Sequence, residues 1–175
     1  KPAAEYNVRP YRHSIRQGNT VKTPFPSEVN VVCGRYTLRA NMRAIAEQFG
    51  LDAVPDLVPR YNIAPTQMVP AIRFRDGSRT CSFLRWGLIP SWAKDEKIGN
   101  SLINARSETV AEKPAFRSSF KRHRCLVIAD GFYEWKKNGK TKQPFFIHMK
   151  NDTPFARRCS TTCGLCMAHG ERNFR

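Results

Sequence analysis

No stretch of the 175 residues approaches the roughly 18 apolar positions that a membrane-spanning helix needs. Residues 1–32 also lack the apolar centre of a secretory signal. No membrane role is expected; the expected setting is cytoplasmic and nucleoid-associated in a bacterial cell, or nuclear in a eukaryotic one. Acids are the second shortage: 14 Asp and Glu stand against 30 Lys and Arg, a net charge of +16. The imbalance is not confined to the ends, because residues 33–150 alone carry 21 basic and 10 acidic side chains. A field of that sign favours a polyanionic partner, nucleic acid foremost. A solvated basic surface is the blander alternative. The six cysteines show no framework-like spacing before residue 159, which argues for reduced thiols and against a disulfide scaffold.

What is present begins to show regular pattern after residue 32. Residues 1–32, with several prolines and no sustained period, read as a disordered leader or as a wrongly extended start. Leu38, Met42, Ile45, Ala46 and Phe49 recur at helical spacing, Thr37 offers a start cap and Gly50 a stop, so a helix of about three turns is expected. Prolines at 55, 59, 65 and 70 punctuate an extended region. Met68–Phe74 and Thr80–Trp86 read as strands joined at Asp76-Gly77. Cys125–Ala129 is an apolar run of buried-strand type, and Phe132–Trp135 leads through an Asn138-Gly139 turn to a strand at Pro144–Met149. The sum is an α+β domain dominated by antiparallel hairpins.

Four segments are richer in rings and fixed turns than packing requires: Arg60–Thr66 (RYNIAPT), Arg85–Trp92 (RWGLIPSW), Ile103–Thr109 (INARSET) and Ala129–Trp135 (ADGFYEW). Together with Cys33-Gly34-Arg35-Tyr36, and in this order, they closely resemble the SRAP (SOS response-associated peptidase) family, which includes the proteins first described as 5-hydroxymethylcytosine binders of embryonic stem cells. The resemblance covers about residues 33–156. It implies barrel-like hairpins with peripheral helices. It also implies a monomeric sensor of abasic sites in single-stranded DNA that needs no cofactor or metal and cleaves its own leader ahead of a cysteine. By the same resemblance Cys33 matches the nucleophile, Asn104 the polar residue that orients it, and Glu134 the proton-transfer carboxylate, while Arg35 and Arg106 match positions that hold DNA phosphates.

The chemistry of these residues is consistent with such a role. An N-terminal cysteine carries an α-amine and a thiol on neighbouring carbons, and can trap an aldehyde as a five-membered thiazolidine. The amine of an internal cysteine is tied up in a peptide bond. The condensation loses water, so a positioned acid/base carboxylate is what the reaction lacks in solution. Glu134, between Tyr133 and Trp135, can fill that part if partial desolvation raises its pKa. Without the resemblance, spacing favours Glu134 as a strand residue facing solvent or paired with a nearby lysine and Asn104 as a turn residue capping its own backbone, and Cys33 reads equally as an inert buried thiol. Trp86, Trp92 and Tyr61 sit beside Pro and Gly turns that can present a ring to a stacked base. Trp86, at a strand end, is expected in the core, and Trp92 and Tyr61 nearer DNA. Lys121-Arg122-His123-Arg124 and Lys136-Lys137 add charge without sequence preference.

Two departures from the family pattern stand out. Val32 occupies the place of the family's initiator methionine, so either a GTG start lies there or a genuine leader of 32 residues precedes Cys33 and is removed by an N-to-S acyl shift. At the other end, Pro154-Phe155-Ala156 is followed by a stretch without apolar period and without the family's His-Arg-Met-Pro-like motif, so a C-terminally truncated domain over 33–156 and an aberrant, disordered tail over 157–175 are expected. Cys159, Cys163 and Cys166 in that tail have iron-sulfur spacing, but too little chain follows them to build a site. Competing readings are a non-covalent reader of modified or damaged DNA, an inactive truncated family member, and a self-cleaving cysteine peptidase without a DNA role.

Overall fold

A computed structural model describes residues 6–10, 34–106, 108–160 and 164–165. Two units emerge, one formed by residues 1–64 with 128–155, the other by 65–127 with 156–175. Among the described residues the secondary structure is mostly antiparallel β, with two short helices and one five-residue 3₁₀ segment.

In the first unit, β1 (Tyr6–Pro10), β2 (Arg35–Leu38), β3 (Arg60–Ile63), β7 (Gly131–Asn138) and β8 (Thr141–Met149) form one sheet in the order β1-β8-β7-β2-β3. The expected leader region thus contributes a strand at Tyr6–Pro10, whose pairing with β8 runs from Tyr6↔Met149 to Pro10↔Phe145. Ending an edge strand on proline suits a residue with no N–H to donate. Thr37 and Leu38 were expected at a helix start but lie in β2, because this segment pairs with both β3 and β7. The helix α1 (Met42–Phe49) begins one turn later. Asn41 caps it, accepting the Ala44 N–H at 2.8 Å, and Gly50 closes it in the left-handed region at φ 60°. Of its residues only Ile45 is buried. The β7–β8 hairpin is longer than its apolar run suggests and turns at Gly139-Lys140, one residue later than expected, with Gly139 at φ 59°.

The second unit carries β4 (Met68–Arg75), β5 (Ser78–Arg85), most of β6 (Arg124–Ala129) and of β9 (Phe155–Ser160), and β10 (Gly164–Leu165), in the order β10-β9-β6-β4-β5. The β4–β5 hairpin turns where expected. Asp76 and Gly77 both have positive φ, as a two-residue turn matched to the strand twist requires. The segment expected as tail contains β9 and β10, which pair with each other. After β5 the chain buries Trp86, whose Nε1 donates to the Ile103 carbonyl at 2.9 Å. Gly87, at φ 131°, lies so close to the Gly99 backbone that a Cβ would come within 2.5 Å of its carbonyl oxygen. Leu88, Val110 and Phe116 then pack together, with Leu102, Ala105 and Ala115 around them. This cluster seats the second helix, α2 (Arg117–Arg122). Among the described residues no helix is long and apolar enough to cross a membrane.

Candidate functional site

Directly opposed residues of an antiparallel pair share a face, and alternate residues along one strand do too. In the β2–β7 pair, Tyr36 faces Phe132 and Arg35 faces Tyr133. Glu134 therefore lies on the Tyr36–Phe132 face, and all three are buried, Glu134 with only 6% of its surface exposed. The solvent-facing reading of this glutamate is excluded. A strand interior normally rejects an ionisable side chain unless it is hydrogen-bonded or functional.

The other face of the same strands carries the cation. Arg35 Nη1 donates to Asn62 Oδ1 on β3 at 3.1 Å, which fixes the guanidinium along the strand start. The Tyr133 hydroxyl donates to the Tyr61 carbonyl at 3.1 Å, leaving the Tyr61 ring 64% exposed. Three of the residues singled out in the sequence, Arg35, Tyr61 and Glu134, thus stand on three adjacent strands. Cys33 lies outside the described residues; Gly34, which follows it, leads into β2.

Asn104, Arg106 and Trp92 belong to the second unit. Asn104 is half-buried and follows Ile103, whose carbonyl is held by Trp86. Arg106 is exposed, and its carbonyl accepts the Thr109 N–H at 3.2 Å. Trp92 is 59% exposed within a Pro90–Ala93 turn closed at 2.9 Å, whereas Trp86 is fully buried. Cys163 and Cys166 lie outside the described residues. Among the described residues no cluster of three or more His, Cys, Asp or Glu could hold a metal.

The sequence reading passed over a second polar group in the first unit. Asp130, the one residue between β6 and β7, is buried and accepts hydrogen bonds from Thr37 Oγ1 at 2.5 Å, from the Arg39 N–H, and from the Ala40 N–H at 2.9 Å. Arg39 Nε comes within 3.4 Å of the same carboxylate, and the Arg39 guanidinium lies 5.4 Å from the Phe146 ring centre. Buried His148 stacks on Phe146, with ring centres 5.2 Å apart and Nδ1 2.6 Å from Asp152 Oδ1. An Asp bracketed by an apolar strand and a glycine was the available signal, since a carboxylate there must find donors in the backbone nearby. Gly131 is required beside it: a Cβ would overlap the Phe146 ring at 2.3 Å.

Two thiols of the second unit are placed. Cys125 is buried and Cys81 half-buried, and burial pushes the Cys81 thiol up to about 11.

The SOS response associated peptidase (SRAP) family matches residues 32–165. Abasic site processing protein YoaM of Bacillus subtilis is 49% identical over 130 residues, 71% of this chain and 57% of YoaM. Abasic site processing protein YedK of Escherichia coli is 35% identical over 129 residues, 70% of this chain and 56% of YedK. The chain therefore spans just under three fifths of these relatives' length. A crystal structure of a Bacteroides thetaiotaomicron protein superposes with a TM-score of 0.64 at 28% identity, covering 72% of this chain and 58% of that one. A phage-related protein of Bordetella bronchiseptica gives 0.58 at 30% identity, covering 72% and 59%. By its family match, the order of its motifs and the shared fold, the chain belongs to the SOS response associated peptidase family.

Proposed function

We propose that this chain processes abasic sites in single-stranded DNA, joining the ring-opened deoxyribose aldehyde to Cys33 as a thiazolidine. The observation that carries this reading is the buried Glu134 on β7, beside the strand that follows Cys33. The β2–β7 register, continued by one residue beyond Arg35↔Tyr133, sets Gly34 opposite Glu134. Nothing lies within 4 Å of where a Gly34 Cβ would stand, which leaves room for a sugar at the strand start.

The reaction needs a free α-amine. Cys33 attacks the Val32 carbonyl through sulfur, the peptide bond becomes a thioester, and water releases residues 1–32 with a new carboxylate. The exposed amine then adds to the sugar aldehyde. Glu134 delivers a proton to the carbinolamine hydroxyl, which leaves as water, and the thiol adds to the resulting iminium carbon with loss of its own proton. Asn104 orients the nucleophile. Arg35, aimed by Asn62, and the exposed Arg106 hold phosphates, and the exposed rings of Tyr61 and Trp92 stack neighbouring bases. The chain acts in this reading as a cysteine-dependent autopeptidase and a DNA-protein crosslinker in the damage response, with no cofactor.

Two measurements test it. Intact mass should show wild-type chain beginning at Cys33, and Cys33→Ala chain retaining residues 1–32. On a denaturing gel with a single-stranded abasic oligonucleotide, wild type should give a heat-stable adduct and Cys33→Ala none. An adduct that survives the substitution overturns the mechanism. Abasic-strand binding with no adduct in either chain replaces it with non-covalent recognition.

A further inference from the structure

A separate cationic surface lies on α2. Arg117, Ser118, Phe120, Lys121, Arg122 and Arg124 line a surface cavity of about 660 Å³. All six are at least partly exposed, and no acidic side chain lines the cavity. Among the described residues, none of its four cations lies within ion-pairing distance of a carboxylate. Arg117 and Lys121 are one helical turn apart, a like-charge spacing that is mildly unfavourable without a counterion between them. The frame beneath is fixed: Phe116 and Cys125 are buried at either end, and Phe120 and His123 donate their N–H groups to the carbonyls of Phe116 and Ser119, both at 2.8 Å. Four cations on a hydrogen-bonded backbone, three of them arginine, beside an exposed phenyl ring have the composition of a surface that grips phosphodiesters and stacks a base.

We propose that the α2 cavity is a nucleic-acid backbone site in the second unit, binding a single strand without sequence preference. This deepens the DNA reading above and rests on it, but involves neither Cys33 nor Glu134. The probe is a fluorescent, undamaged oligothymidylate, titrated against full-length protein at several salt concentrations. Arg117→Gln/Lys121→Gln should weaken binding and make the log-log salt slope shallower by about 1.4, at about 0.7 for each phosphate no longer neutralised. Arg117→Lys/Lys121→Arg should keep the wild-type slope, which separates charge from fold. Phe120→Leu should weaken binding about tenfold with the slope unchanged. Adduct formation with a saturating abasic oligonucleotide should be unaffected by the charge-removing pair.

If wild type binds the strand and the Gln pair binds it with equal affinity and slope, the α2 site is refuted while the DNA reading stands. If wild type does not bind the strand at all, the DNA reading itself fails. Competition by polyglutamate at lower concentration than oligothymidylate would overturn the proposal in favour of an acidic protein partner.

Discussion

Every buried polar or charged side chain described belongs to the first unit: Thr37, Asp130, Glu134 and His148. The second unit buries Trp86, Leu88, Val110 and Phe116, and among its described residues no charged side chain is fully buried. Burying an ionisable group costs several kcal/mol before its partners repay it, so a unit that buries three of them gives up stability that an apolar core would keep. Asp130 is compensated by backbone and side-chain donors from β2 and the residues after it. Glu134 stands on the same face as Tyr36 and Phe132, where an apolar side chain would pack as well. In the reading proposed above, the carboxylate stands at that point for chemistry rather than for folding.

The largest effect expected from this contrast is on rate. Glu134→Gln should slow adduct formation by about 10² to 10⁴-fold, the usual contribution of a general acid or base, while thermal unfolding shifts little or upward. Single-turnover kinetics on an abasic oligonucleotide, alongside calorimetry of the same sample, would read both. Parallel loss of rate and stability would erase the distinction between the two kinds of buried residue. Trp86→Ala should do the reverse. It removes a fully buried indole and strands the Ile103 carbonyl, for about 3 to 5 kcal/mol of destabilisation by denaturant titration. Whatever folded fraction remains should lose far less rate than Glu134→Gln does, the loss coming only from a looser Ile103-Asn104 segment.

Asp130 sharpens the comparison within the first unit. Asp130→Ala leaves the Arg39 and Ala40 N–H groups without their acceptor and the Thr37 hydroxyl with only the Gly131 carbonyl at 3.3 Å, and should cost roughly 1 to 3 kcal/mol. Asp130→Asn keeps a carbonyl acceptor and should cost less. If the two are equal, the donors are satisfied elsewhere and the carboxylate is not the tie between β2 and the β6–β7 junction.

The hairpins were legible in the sequence because each had an alternating or apolar run and a turn that only a few residues can make. Asp76-Gly77 illustrates it, since both positions need positive φ. The start of α1 was misread because Thr37 and Leu38 fit a helical face as well as a strand, and only pairing with β3 and β7 decides between them. The strand at Tyr6–Pro10 had no local signal, since its partner is more than 130 residues away. Glu134 and Arg35 were singled out through the family resemblance, and Tyr61 by its place beside a proline turn. Spacing alone could not show that Glu134 faces the core, because β7 alternates around it only once the register with β2 is known.

The smallest effect concerns thiols, and it contrasts Cys33 with Cys81. Burial raises the Cys81 thiol from 9.0 to about 11, so at pH 8 the folded chain holds it almost wholly protonated. Iodoacetamide labelling, followed peptide by peptide, should modify Cys81 roughly a hundredfold more slowly in the folded chain than in denaturant, the thiolate ratio that this shift sets. The pH dependence carries the sign. The folded pKa is above the unfolded one, so any stability Cys81 lends is complete below pH 9.0 and is lost as pH rises through about 11. Its labelling rate should likewise keep climbing past pH 9.0 in the folded chain but level off there in denaturant. Cys33, once processed, should label quickly at pH 8 and be protected by prior reaction with an abasic strand. Equal, rapid labelling of both thiols would mean that the second unit does not shield Cys81 from the reagent.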